Sequence, residues 1–502
     1  MVDAKIDELR SRLEEVYALD RTASLLGWDL QTYMPVGGAE NRAFQLEVLG
    51  RTAHEKWISD EMGILLEDLS SELGDSDYDS FEASLIRVTQ RTLDRKLKLS
   101  ADLVGRRRAA TSLATSAWEK ARAASDFKAF RPHLEAVLDL TIEMAEALGY
   151  DESIYDPLLD EYEPGMTASE LEPLFQEMKD SLVPLVRAVS ERQATISPDP
   201  MAREYDGKTQ WAFGLEVIEA LGFDLQRGRQ DRSAHPFTTG LSTGDVRLTT
   251  RIERDRLATG LFGTIHEAGH GMYEQGYGPA LARTPLANCA SLGVHESQSR
   301  MWENVIGRSR AFWTFWLPRL KAHFPGQLSG IDLNTFYRAV NRVRPSFIRV
   351  EADEVTYNLH IFLRFELEKA LLGGEISTAE LPEIWNQKME DSLGVRPDND
   401  AEGVLQDVHW ANGLIGYFPT YSLGNLLSVQ FYRQAVSELP DIPAQIEAGD
   451  FAALLGWMRK NIHLQGRKYT PTELVQRCTG GPIQTAPYLD YITRKYSELY
   501  AL

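Results

Sequence analysis

From Ala4 to about Ala145, apolar residues return every three to four positions, as in Ile6, Leu9, Leu13, Val16 and Leu19, while charged residues occupy the other positions. This is the spacing of long amphipathic helices. The pattern breaks between Trp28 and Arg42, where Pro35 and the Gly37-Gly38 pair mark a turn. Residues 150–165 are rich in Asp and Pro, and Thr167 followed by Glu170 predicts a capping-box start for a helix running to about Ile196. Between Asp231 and Arg254 the period changes: Val246, Leu248, Thr250 and Ile252 alternate with Arg247, Thr249 and Arg251, behind the turn-forming Ser242–Asp245 stretch. That alternation predicts a β-strand or hairpin. The helical period then returns almost to Leu502, with breaks near Pro325-Gly326, Gly373-Gly374 and Gly480–Pro482. The pattern predicts a mainly α protein, a single domain over residues 1–502 with two helical lobes and a small β element at about 231–254.

Composition narrows the functional classes. The 502 residues are 43% hydrophobic and 25% charged, which suits a folded globular chain, and the formal net charge of −21 disfavours nucleic acid and anionic membrane surfaces as partners. Cys289 and Cys478 are too few for a disulfide framework and fit a reducing compartment as reduced thiols. The charged N-terminal stretch has no apolar core of a secretory signal, and the longest apolar runs fall well short of the ~20 residues a membrane span needs. The expected location is the cytoplasm.

The chemistry concentrates just after the predicted strand, where Gly260–Glu274 contains His266-Glu267-Ala-Gly-His270. On a helix, positions four apart share a face, so both imidazoles can ligate one Zn²⁺ while Glu267 faces a water activated by the metal and acts as general base. Peptide hydrolysis is the usual use of this arrangement. With 10 histidines in the chain, a chance match has a probability on the order of one in a hundred. A catalytic zinc site needs a third protein ligand and an open position. Glu296 is the candidate, in the stretch Val294–Glu303 that reads as a following helix. His295 and Glu303 compete for that role; adjacent helical residues diverge by about 100°, so His295 and Glu296 cannot both readily face the metal. For Glu303 and Glu274 the favoured reading is a supporting or solvated carboxylate. Co²⁺ or Mn²⁺ can substitute in a site of N and O ligands.

These residues resemble those of the carboxypeptidase Taq family of zinc metallocarboxypeptidases. The similar stretches are Trp28-Asp29 with Thr32, Met34-Pro35 and Gly37-Gly38; His235-Pro236-Phe237; Asp245, Arg247 and Thr249; His266–His270; His295–Gln298; Ile348-Arg349 with Ala352-Asp353; and Gly403 with Gln406-Asp407 and His409-Trp410. They span residues 28–410. The resemblance implies release of single residues from peptide C-termini with broad side-chain tolerance and poor action next to proline. It also implies a neurolysin-like helical fold with a deep cleft between two lobes, and a homodimer.

An enzyme acting at a C-terminus must read a free carboxylate, for which the planar, permanently charged fork of Arg is suited. Arg349 is the first candidate and Arg247 the second. Their structural alternatives are ion pairs, to Glu351 or Asp353 for Arg349 and to Asp245 or Glu253 for Arg247. His409 and His235 are candidates to donate to the same carboxylate or to the oxyanion; the competing reading is a pair of core histidines. Gly416–Asn425 resembles the tyrosine-bearing segment of related helical metallopeptidases, making Tyr421, then Tyr417, the candidate donor to the tetrahedral intermediate; simple packing is the alternative. If the strand Val246–Ile252 exposes an edge, it can pair with an extended peptide; otherwise it is a structural hairpin. A neurolysin-like endo-oligopeptidase and a non-catalytic metal- or peptide-binding scaffold are the alternative functions, although an intact Glu267 argues against the scaffold.

Overall fold

A computed structural model describes residues 2–73 and 76–502. The chain forms two compact units, each assembled from three separate stretches: the first from the N-terminal stretch to Leu97 with Pro198–Val340 and Phe431–Gly481, the second from Lys98–Ser197, Asn341–Gln430 and Pro482–Leu502.

In the first unit the predicted amphipathic helices are present at Val2–Thr32, Ala39–Trp57 and Asp60–Leu73. Ile6, Leu9, Leu13 and Val16 line one face of the first helix and join a core with Met62, Leu65, Leu66, Leu69 and Leu85. Each buried side chain of this size contributes about 1.5–3 kcal/mol. The sheet has three strands, β1 (Gly228–Arg232), β2 (Thr238–Ser242) and β3 (Asp245–Thr250), in the order β1-β3-β2. β1 runs parallel to β3, with Gln230 beside Leu248, and β2 runs antiparallel to it, with Thr239 beside Arg247.

Of the two readings of Val246–Ile252, the exposed edge does not hold: β3 is the central strand, and Ile252 lies beyond its end. The missing neighbour was β1, whose sequence Gly-Arg-Gln-Asp-Arg carries no apolar alternation. β2 is the edge, and part of it is capped, because the Arg21 guanidinium donates to the Gly240 carbonyl at 2.6 Å and the Tyr17 hydroxyl to that of Leu241 at 2.9 Å.

The turn region after the first helix is docked onto the same sheet. Trp28 is buried, with the Arg247 guanidinium 4.3 Å and that of Arg229 5.4 Å from its ring centroids. Tyr33 donates to Asp231. The Trp28–Gly38 stretch thus joins the long helix to the sheet that carries the chemistry.

The second unit is built on helices Ala101–Ala124, Phe127–Leu148, Ala168–Glu191, Tyr357–Leu372, Leu381–Leu393 and Ala486–Tyr500. Thr167 and Glu170 form the expected capping box. The helical period was expected to hold through residues 394–418, but that segment has no helix. Gly394 ends the preceding helix in the left-handed region at φ 70°, and Pro397 follows. Side chains then hold the loop: Gln406 accepts from the Arg349 amide and donates to the carbonyls of Phe347 and Glu402, while Glu368 accepts from the Gly416 amide. Gly416, at φ 87°, has no room for a Cβ, which would meet the Leu158 backbone at 2.7 Å.

Candidate active site

The His266-Glu267-Ala-Gly-His270 segment lies in the helix Leu257–Glu274. Gly260, Gly263, Gly269 and Gly271 lower its intrinsic propensity, each by about 1 kcal/mol relative to Ala. Tertiary packing compensates. Two of these glycines allow close approach on different sides: a Cβ on Gly271 would meet Phe223 at 2.7 Å and Leu248 of β3 at 2.8 Å, and one on Gly269 would meet the Ser299 backbone at 2.6 Å. Ser299 belongs to the helix Leu292–Arg300, capped by the Ser291 hydroxyl accepting from the Val294 amide.

This crossing brings three donors together. His266 Nε2 lies 3.6 Å and His270 Nε2 3.4 Å from Glu296 Oε2, and the three ligand atoms fit within 4.8 Å of one another. The far side of each imidazole is occupied: His266 Nδ1 bonds Glu303 Oε2 at 2.9 Å, and His270 Nδ1 bonds the His295 carbonyl at 3.1 Å. An Nδ1–H donating outward leaves the Nε2 lone pair facing the common point, as a ligand requires.

The electrostatics fit a cation there. Burial lowers the His266 pKa, but Glu296 and Glu303 outweigh it and raise it above its ordinary 6.5, so the spot favours positive charge. Burial, reinforced by His295, pushes His270 down to about 3, keeping its imidazole neutral. Burial acts to raise Glu296, yet Arg300 and the two imidazoles hold it well below the ordinary carboxylate range. Two neutral or neutralisable imidazoles and one carboxylate suit a divalent ion of borderline softness.

His295 does not reach this point with its ring. It stacks on His270 at 4.3 Å between centroids and 17° between planes, and its Nε2 bonds Glu274 Oε1 at 3.1 Å. Glu303 lies in a π-helical turn, Met301–Ile306, where Arg300 and Arg308 contact the same carboxylate that supports His266. Glu267 is buried beside the donors; the Thr238 hydroxyl of β2 donates to its Oε2 at 2.7 Å. Burial raises its pKa, against the lowering effects of His266 and Thr238. In the same unit, His235 is exposed in the loop between β1 and β2. Arg247 pairs with Asp245 through two bonds of 3.0 and 2.9 Å and stacks on Trp28, the structural alternative read for it above.

The second unit holds the remaining candidates. Arg349 is buried and pairs with neither Glu351 nor Asp353 but with Asp407, Nη2 to Oδ1 at 2.8 Å, and donates from Nη1 to the Tyr357 hydroxyl at 2.9 Å. Asp353 instead holds the turn before the next helix, accepting from the amides of Val355 and Thr356. His409 Nε2 lies 3.2 Å from the Tyr421 hydroxyl. Burial pushes His409 down to about 4, so it is neutral near pH 7. Tyr417 packs edge-on against Tyr162 and Tyr421.

In each unit, residues around these candidates carried no role in the sequence. Thr238 has no spacing signal, whereas Arg300 stands four residues after Glu296 and three before Glu303, the helical spacings of its two ion pairs. Asp407 and Tyr357 contact Arg349 only through the fold, although Asp407 stands two residues before His409 in a stretch already singled out.

Similarity to known proteins extends over the whole chain. Residues 8–496 match the family model of the carboxypeptidase Taq (M32) metallopeptidases. The chain is 42% identical to thermostable carboxypeptidase 1 of Thermus thermophilus, over 99% of each chain, and 38% identical to carboxypeptidase 1 of Bacillus subtilis, over 98% and 97%. The crystal structure of the M32 carboxypeptidase from Deinococcus radiodurans R1 superposes with a TM-score of 0.96 at 40% identity, covering 99% of this chain and 100% of that one. The chain belongs to the carboxypeptidase Taq (M32) family of metallopeptidases.

Proposed function

We propose that this protein is a zinc-dependent carboxypeptidase that releases single residues from peptide C-termini with broad side-chain tolerance and poor action next to proline. The convergence of His266 Nε2 and His270 Nε2 on Glu296, with Glu267 buried alongside, carries this reading. The carboxypeptidase names of its relatives favour it over an endo-oligopeptidase or a non-catalytic scaffold.

His266, His270 and Glu296 are the proposed ligands. When bound there, zinc supplies a Lewis acid that polarises the scissile carbonyl and lowers the pKa of a water. Glu267 takes the proton from that water; Thr238 holds Oε2, so Oε1 is the accepting oxygen. The same carboxyl then returns the proton to the leaving amine. Tyr421, oriented by its contact with His409, donates to the oxyanion, with Tyr417 packing beside it. Arg349 reads the free carboxylate of the substrate. Arg247, already occupied by Asp245 and Trp28, and exposed His235 take supporting parts in peptide binding. Co²⁺ and Mn²⁺ are the proposed substitutes for zinc. The enzyme is assigned to the cytoplasm as a homodimer acting on peptides, without nucleic-acid or membrane partners.

Chelation followed by titration with Zn²⁺, Co²⁺ or Mn²⁺ tests the metal assignment. Activity and one equivalent of bound zinc should return together; full activity in the rigorously metal-free protein contradicts it.

A further inference from the structure

Asp407 occupies an unusual position in the second unit. It is the shared partner of two buried guanidiniums. Arg349 reaches it along one side of its fork, Nε at 3.2 Å from both carboxylate oxygens and Nη2 at 2.8 Å from Oδ1, while Arg364 Nε reaches Oδ2 at 2.7 Å. Arg364 is fully buried, and its Nη1 donates to the His360 carbonyl at 2.6 Å, one turn back on the same helix. The main chain is tied as well: the Arg349 amide donates to Gln406 Oε1, on the residue adjacent to Asp407.

The hydrogen-bond arithmetic gives this arrangement a direction. A guanidinium has five N–H donors. Asp407 takes the Nε–H and one from Nη2, and Tyr357 takes one from Nη1. One N–H on each Nη remains, and two such donors can serve a second carboxylate. Charge points the same way, since Asp407 is shared by two guanidiniums and a second carboxylate beside Arg349 meets an opposite charge. Asp407 also lies 3.7 Å from His409 Nδ1, the imidazole whose other nitrogen meets Tyr421.

We propose that Asp407 is a positioning residue for substrate recognition: it fixes the side-on edge of Arg349 so that the remaining N–H donors are presented to the C-terminal carboxylate of a peptide, and Arg364 pins Asp407 in turn. This rests on the carboxypeptidase reading. Arg364 acts at one further remove, through Asp407, and touches no substrate. The unassigned aspartate of the 403–410 loop thereby becomes the group on which the C-terminal preference depends.

The test is a double-mutant cycle in the zinc-loaded full-length enzyme, measuring KM and kcat for one N-blocked peptide as free acid and as C-terminal amide. Asp407→Asn should raise KM for the free acid by about 10-fold or more, with kcat within about 3-fold, because ground-state recognition is weakened. In an Arg349→Met background the same change should add less than about 2-fold, since both act through one contact. An equal loss in both backgrounds, or a fall in kcat with KM unchanged, overturns the proposal. If thermal melting shows Asp407→Asn to be unfolded, Arg364→Lys carries the same cycle: a rise in KM that vanishes with Arg349→Met supports the relay, and a background-independent effect overturns it. Wild-type enzyme that cuts the amide as well as the acid overturns the carboxypeptidase reading and this inference with it, whereas a wild type that discriminates alongside non-coupled variants overturns this inference alone.

Discussion

Gly269 and Ser299 meet backbone to backbone: a Cβ added to Gly269 would lie 2.6 Å from Ser299 Cα and 2.8 Å from the Gln298 carbonyl oxygen. No flexible side chain stands at this contact to move aside, so the separation of the two helices is set by the missing methyl. Glu296 stands one turn back from Ser299 and His270 next to Gly269, and the crossing therefore determines whether the three ligand atoms converge. Gly269→Ala should force the helices apart, at a cost of about 1–3 kcal/mol for overpacking. Zinc affinity should fall with stability, read by chelator competition and by thermal melting. A variant that binds zinc as the wild type does contradicts this account of the crossing.

Glu303 supports His266 from its far side at 2.9 Å. Removing its charge with Glu303→Gln should weaken zinc binding by roughly 10-fold or more, the scale of loss when an outer partner of a ligating histidine is changed. Dissociation constants measured by competition with a colorimetric chelator check this. An unchanged constant assigns Glu303 to structure alone.

Glu267→Gln separates metal binding from proton transfer. The amide keeps the size and can still accept from Thr238, but it takes no proton. Zinc content should remain at one equivalent while kcat falls by about 10²–10⁴, the range for loss of a general base. Metal analysis and peptide turnover on one preparation give both readings.

A separate pH effect follows from Glu368. It is buried, and its oxygens accept from Trp410 Nε1 and the Tyr155 hydroxyl at 2.8 Å and from the Gly416 amide at 3.1 Å. Burial outweighs those donors and raises its pKa from 4.5 to about 7. The folded protein thus retains this proton where the unfolded chain has released it. The stability it contributes is full below about pH 4.5 and is lost as pH rises through about 7, a change on the order of 3 kcal/mol. Glu368→Gln should remove that part of the pH dependence, so the stability difference between variant and wild type should change between pH 4.5 and 7 in denaturant titrations. A pH-independent difference contradicts the assignment.

The parts of the site legible in the sequence were those encoded by local spacing. His266 and His270 declare themselves by a separation of four, Glu296 by its place in a helical stretch shortly downstream, and β3 by alternation behind a turn. β1 stayed hidden because its charged residues imitate a loop, and the central placement of β3 followed from it. The irregular 394–418 segment was read as helix because its stability comes from distant partners such as Glu368 and Gln406, whose contribution has no period. Arg349 was visible as a candidate, but its contact with Asp407 joins positions 58 apart, and only the folded chain brings them together.

The central claim is that this metallopeptidase attacks peptides from a free C-terminus. Incubating the zinc-loaded protein with one peptide, as the free acid and as the C-terminal amide, and following the products by mass over time tests it most directly. A ladder of single-residue losses from the free acid alone is the expected result. Internal cuts in both forms would contradict it.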